Sequence, residues 1–184
     1  MKELSLNILD VAENSVKAGA CLTEILINET EETLQIIIRD DGCGMDEEVV
    51  KAVIDPFYTT RTTRSVGLGV PLLKLAAEQT GGKISITSET EKKSPSHHGT
   101  EVTADFNKKH IDFTPLGDVI STVTTLIQGH PDTDFYFKHT YYTNEVTLDT
   151  RELRTVLEGV PLDTYDVIKW AEEYLKEQYE SLYL

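Results

Sequence analysis

Near the start of the chain, Asp10, Asn14 and Lys17 recur at turn spacing in the run Asp10-Val11-Ala12-Glu13-Asn14-Ser15-Val16-Lys17-Ala18. On a helix, residues three and four apart share a face, so a carboxylate, a neutral amide oxygen and an ammonium would point together. Such a set suits phosphate, an attacking water and Mg²⁺, a cation that favours oxygen ligands and keeps several of its waters. Glu13 is a second candidate acid, about 100° round the helix from Asn14. Further on, Asp40-Asp41-Gly42-Cys43-Gly44-Met45 ends a strand-like run with glycines that let the backbone turn sharply and approach a ligand closely. A carboxylate there can accept from an exocyclic amine, which distinguishes adenine from guanine. Gly67-Leu68-Gly69 opens a helical pattern, and a helix N-terminus offers free N–H groups and partial positive charge to phosphate. Gly99-Thr100 completes the series.

Each fragment also has a plainer reading. Asp-Gly is ordinary turn chemistry in which Asp40 caps its own loop. Asp10 and Glu13 suit a solvated helix face, and Lys17 an exposed lysine. Together, and in this order, the fragments spell a nucleotide site.

The elements that must position these groups are legible in the pattern. Residues 4–18 carry Leu4, Ile8, Val11, Ala12 and Ser15 at helical spacing, with Gly19 as a stop. Leu22–Asn28 and Thr33–Arg39 read as a hairpin, and 46–53 as a short helix capped by Asp46 and ended before Pro56. Residues 58–66 are polar and β-branched without a period, hence a loop. A helix from Gly69 to Thr80 tolerates Pro71 in its first turn and closes at Gly81-Gly82. Strands at Lys83–Glu89 and Glu101–Phe106 flank a polar insert. This order predicts an α/β (α+β) two-layer sandwich, a mixed sheet with helices on one face. Residues 1–107 form the expected binding domain. Residues 108–184 form a C-terminal α/β extension, with helices at 116–128, 151–158 and 164–182 and strands at 134–142 and 145–149. The last helix places Ile168, Ala171, Leu175, Tyr179 and Leu182 on one stripe, expected to dock on the domain's own core, with Trp170 and Tyr174 beside it.

A net charge of −15 argues against a general nucleic-acid surface and confines phosphate-binding groups to local positions. No apolar run reaches the roughly 18 residues of a membrane helix. The first residues mix acids into their apolar stretch, unlike a signal peptide. Cys21 and Cys43 make no disulfide framework and read as reduced thiols of a cytoplasmic protein. His97, His98, His110, His130 and His139 show no ligand spacing with a cysteine, so no zinc site is expected.

The motifs resemble the N, G1, F, G2 and G3 boxes of the GHKL (Bergerat-fold) ATPase superfamily, which includes gyrase B, the MutL mismatch-repair ATPases, histidine-kinase catalytic domains and anti-sigma-factor kinases. The resemblance covers residues 4–106 and implies ATP and Mg²⁺ as cofactors. It implies that Asp40 binds the adenine amino group, with Thr100 completing a water-linked contact beside Gly42, Gly44 and Met45. It implies Asn14 as the Mg²⁺ ligand and Asp10 at the position where hydrolysing members carry Glu. Asp is one methylene shorter, a departure that bears on hydrolysis. Lys17 matches the kinase branch, where a basic residue reaches the phosphates. Gly67, Leu68 and Gly69 match the phosphate-binding G2 box. The phrase Asp55-Pro56-Phe57-Tyr58-Thr59-Thr60-Arg61 resembles the F box of nitrogen-regulation-type histidine kinases. Phe57 there is a brace for a lid over Thr59–Val66 or an ordinary core residue, and Arg61 and Arg64 would add charge at the γ-phosphate.

Three functions are consistent with this reading. The first is a regulatory protein kinase or ATP-dependent switch acting on an unidentified protein partner, in the manner of an anti-sigma factor or a detached kinase catalytic domain. The second is a slow clamp ATPase of the gyrase or MutL kind, working as a homodimer. The third is a nucleotide-binding module without catalysis.

Overall fold

The computed structural model describes residues 3–54 and 68–184. Helix α1 (Leu4–Lys17) buries Leu4, Ile8, Val11, Ala12 and Ser15 along one stripe, the expected period of an amphipathic helix. Gly19, at φ 77, takes the left-handed conformation that ends it. The N–H groups of Leu4 and Ser5, which no helical carbonyl can reach, donate to Pro115 and Leu116 carbonyls at 2.9 and 2.8 Å. The extension therefore caps the first helix.

Strands β1 (Leu22–Glu29) and β2 (Thr33–Asp40) pair antiparallel, with Ile27 opposite Ile36 and Thr23 opposite Asp40. Their alternation puts Ile25, Ile27, Leu34, Ile36 and Ile38 in the core. Helix α2 (Glu47–Ile54) starts at Asp46, whose Oδ1 accepts from the Val49 N–H at 3.1 Å. Helix α3 (Gly69–Gln79) is followed by β3 (Lys83–Glu89) and β4 (Gly99–Asn107), again antiparallel. The expectation for β4 began two residues later, at Glu101; pairing instead begins at Gly99 against Glu89.

The extension completes the same sheet. Helix α4 (Val119–Gly129) leads into β5 (Asp134–Tyr141), β6 (Asn144–Asp149), α5 (Thr150–Leu157) and α6 (Tyr165–Leu182). The strand order is β3-β4-β2-β1-β5-β6, and β5 lies parallel to β1 while every other neighbouring pair is antiparallel. The sheet is thus mixed, and α1, α3, α4 and α6 bury its inner face, giving the two-layer sandwich. Helix α6 seats Ala171, Leu175 and Leu182 fully in this core, with Ile168 and Tyr179 packed against it. Trp170 and Tyr174 stay partly exposed and stack on each other at 4.8 Å.

Candidate functional site

Four separate segments converge at the end of the sheet where β2 stops. Asp40, the last residue of β2, accepts at Oδ2 from the Ser15 hydroxyl of α1 at 2.7 Å and at Oδ1 from the Gly42 N–H at 3.0 Å. Both the self-capped turn and the link to α1 are therefore present. Each carboxylate oxygen keeps lone-pair capacity for a further donor. The Cys43 N–H donates to the Ala18 carbonyl at 3.0 Å and the Cys43 carbonyl accepts from Glu91 at 3.2 Å, so the Gly42–Gly44 loop is tied on both sides.

The glycines are demanded by contact. A Cβ on Gly44, at φ 67, would lie 1.9 Å from the Glu89 carbonyl oxygen. One on Gly99, at φ 129, would lie 1.9 Å from the Asp40 carbonyl oxygen. Gly99→Ala is expected to cost about 3 kcal/mol or more, from steric overlap and a disallowed φ together. Urea unfolding measures it, and a loss under about 1 kcal/mol would show that the strand start yields.

Ser88 ties the second half of the site. Its hydroxyl donates to the Gly99 carbonyl at 2.9 Å and accepts from the Met45 N–H at 2.8 Å. The Thr100 hydroxyl, 2.9 Å away, must then be the donor to Ser88, which leaves Thr100 Oγ1 as an acceptor toward the cleft. The cleft, ≈ 610 Å³, is lined by Asp40, Met45, Ser88, His98, Gly99 and Thr100 among others. His98 donates from Nδ1 to the Gly42 carbonyl at 2.6 Å, since a carbonyl can only accept.

On α1, Asp10 is exposed and Asn14 half-buried. Helix α3 begins against them: a Cβ on Gly69 would sit 2.8 Å from the Asp10 Cβ. Glycine there lets the α3 N-terminus approach the Asp10–Asn14 face, where its N–H groups favour phosphate. Among the described residues, no side-chain hydrogen bond engages Asp10, Asn14 or Lys17, and Leu68 is exposed beside them. Glu13 is turned elsewhere: its carboxylate accepts from His130 Nε2 at 2.7 Å, at the end of α4. Phe57, Arg61, Arg64, Gly67 and the Thr59–Val66 segment lie outside the described residues.

These residues fit Mg²⁺ and ATP. No cluster of three His, Cys, Asp or Glu side chains able to hold a metal occurs among the described residues. The single amide of Asn14 matches the way Mg²⁺ is held through one or two protein oxygens plus substrate phosphates. The cleft lined by Asp40, Gly99 and Thr100 offers a base the Asp40 carboxylate as acceptor.

From the sequence, Ser15 has only a place on the core stripe and His98 only the absence of ligand spacing, and Ser88 is not singled out. Ser15 stood inside the first motif and could have been found there, since it lies one residue past Asn14 on the buried stripe. Ser88 and His98 carry no local signal, because their roles arise only when β3 and the loop before β4 close on Asp40.

Fold and site together define a Bergerat-type nucleotide-binding sandwich. The chain belongs to the family of histidine kinase-, DNA gyrase B-, and HSP90-like ATPases, whose model matches residues 1–110. Sporulation kinase A of Bacillus subtilis is 29% identical over 109 residues, covering 59% of this chain and 17% of that protein. The tetrathionate sensor histidine kinase TtrS of Salmonella typhimurium is 31% identical, over 54% of this chain and 16% of its own length. The chain thus spans about a sixth of the length of these relatives. Among solved structures, the Aquifex aeolicus MutL ATPase domain complexed with ADP superposes with TM-score 0.55 at 15% identity, over 86% of this chain and 70% of that one. The N-terminal domain of a DNA repair protein gives TM-score 0.55 at 17% identity, over 81% of this chain and 53% of that one. A share of 86% exceeds what residues 1–110 alone can supply, so the fold likeness runs into the extension. No helix among the described residues is long and apolar enough to cross a membrane.

Proposed function

We propose that the chain binds Mg·ATP in the cleft at Asp40 and acts on a protein partner as a regulatory kinase or an ATP-dependent switch. In this reading residues 1–107 hold the nucleotide, and residues 108–184 transmit or receive the signal. The observation that carries it is the meeting of four motifs: Ser15 on Asp40 at 2.7 Å, Gly99 under the Asp40 carbonyl, and the start of α3 against Asp10. Similarity to sensor and sporulation kinases over the matched region supports the kinase branch.

Asp40 accepts the adenine amine, and Thr100 Oγ1 accepts from a bridging water. Asn14 offers its amide oxygen to Mg²⁺, which when bound neutralises phosphate charge. Lys17 and the α3 N-terminus, with Leu68 and Gly69, hold the phosphates. Asp10 is the acid that remains to orient a nucleophile, since His130 engages Glu13. Catalysis here is mostly positioning and charge neutralisation. The shorter Asp10, where hydrolysing members carry Glu, favours a second reading, a nucleotide-binding module without hydrolysis.

Incubation of the pure protein with Mg²⁺ and γ-labelled ATP, separating free phosphate from protein-bound label, tests this. Label retained on protein is the expected kinase result. Free phosphate that disappears in Asp10→Ala marks an ATPase with Asp10 as base. Bound ATP with neither product leaves the binding module, and absence of ATP binding overturns the assignment.

A further inference from the structure

Helix α1 is held near Asn14 from two sides. With about 100° per residue, Glu13 and Ser15 point about 200° apart, and Asn14 lies between them. Ser15 fastens one side to β2 through Asp40 at 2.7 Å. Glu13 fastens the other to His130 at 2.7 Å, across 117 positions of sequence, and Nε2 must carry the proton because a carboxylate only accepts.

His130 is itself a fixed post. It caps α4, its N–H donating to the Leu126 carbonyl at 3.0 Å, and α4 buries Val123, Leu126 and Ile127. The connector behind it is clamped by Arg154 of α5. That guanidinium donates to the Pro131 carbonyl at 2.6 Å, the Thr133 carbonyl at 3.3 Å and Asp134 Oδ1 at 2.7 Å. The next N–H, of Asp134, joins β5 to β1 by donating to the Cys21 carbonyl at 2.9 Å. A continuous chain of contacts thus runs from α5 through the α4–β5 connector to the residue before Asn14.

We propose that His130 is a positioning residue for Asn14, acting through Glu13, and so couples the C-terminal extension to the metal-dependent part of nucleotide binding. This rests on the Mg·ATP reading of the site. Without the Glu13 anchor α1 keeps its buried stripe and its tie to Asp40 through Ser15 but loses the hold on its other side, so that a small roll about its axis moves the Asn14 face. Rolling by about 10° moves an amide oxygen roughly 6 Å from the axis by about 1 Å, a displacement that costs up to 10²-fold in a tightly defined site. Mg²⁺ has little tolerance for such a shift, because its ligands must sit near ideal octahedral positions. Adenine recognition depends on that roll less, because Asp40 and Thr100 stand on β2 and β4 and the Ser15–Asp40 contact is the side about which the helix turns.

The two contributions separate by measuring ATP affinity calorimetrically with Mg²⁺ and again with EDTA. In His130→Ala and in Glu13→Ala the Mg²⁺-dependent gain in affinity should fall about tenfold, while affinity in EDTA stays within about twofold of wild type. His130→Gln, which restores an N–H donor at similar reach, should recover most of the gain. The double variant should be no worse than either single one, because both remove the same contact. An unchanged Mg²⁺-dependent gain overturns the proposal, and so does an equal fall with and without Mg²⁺, which would mean general loosening. Should His130→Ala fail to fold, Glu13→Ala decides alone, since it opens no buried space at the core. Wild-type protein that binds no ATP in either condition would overturn the site assignment itself, a result distinct from wild-type binding with unaffected variants.

Discussion

Asn14→Ala is expected to lower Mg·ATP affinity by about 100-fold or more while the protein stays folded. The asymmetry between function and stability follows from where the side chain stands. Asn14 is half-buried on α1, and among the described residues its amide makes no hydrogen bond that the substitution would orphan. Alanine is also the better helix former, so the change in unfolding free energy should stay within about 0.5 kcal/mol. Calorimetry with Mg²⁺ reads the loss, and an unshifted thermal melt shows the fold intact. Unchanged nucleotide affinity in this variant would sink the assignment of Asn14 to the metal. Asp40 makes a poorer probe, because its removal also strips the Ser15 hydroxyl and the Gly42 N–H of their acceptor.

Local pattern carried most of the architecture. The apolar stripe Leu4, Ile8, Val11, Ala12 and the stop at Gly19 specify α1, since each cue is decided within one or two turns. The α6 stripe was legible for the same reason. Where pairing depends on distant partners, the sequence is silent. Nothing in 134–141 says that this strand lies parallel to β1, because that choice is made by α4 crossing over the sheet. The start of β4 was misplaced at Glu101 because glycine weakens a strand pattern. Here Gly99 begins the strand so that the backbone can pass within contact of Asp40. In the site, the motif residues were visible as types and spacings. The half-buried hydroxyl bridge of Ser88 and the turning of Glu13 toward His130 were not, since both depend on elements far apart in sequence.

The same limit hid the buried polar cluster at the opposite end of the sheet, which yields a large expected effect on stability with a definite pH dependence. Glu29, at the end of β1, is 9% exposed and His139 of β5 is 0% exposed. Oε2 of Glu29 accepts from His139 Nε2 at 2.8 Å and from the Tyr183 hydroxyl at 3.0 Å, and Oε1 accepts from Lys108 Nζ at 2.5 Å. His139 Nδ1 lies 2.9 Å from the Tyr179 hydroxyl, so the network fastens the end of α6 to the sheet. Burial alone would raise the Glu29 carboxyl, but hydrogen bonds from His139, Lys108 and Tyr183 outweigh it and hold it at about 2 rather than 4.5. His139→Ala leaves that carboxylate buried without its nearest ring donor. The expected loss is about 3 kcal/mol, the scale for breaking a buried pair, and about 6–12 °C in melting temperature for a domain of this size. The pH dependence has a definite sign. Because the folded carboxyl lies below its unfolded value, its stabilisation is fully present above about pH 4.5 and is lost as pH falls toward 2. Unfolding by urea at pH 7 and pH 3 should show the stability gap between wild type and Glu29→Gln narrowing by about 2 kcal/mol at the lower pH. A gap that stays constant between those two pH values would mean that the carboxylate is not held low by its partners. The tail helix would then be fastened by its apolar stripe of Ala171, Leu175 and Leu182 and by Gln178, whose side chain pairs with the Thr147 backbone at 3.0 Å on both its oxygen and its nitrogen.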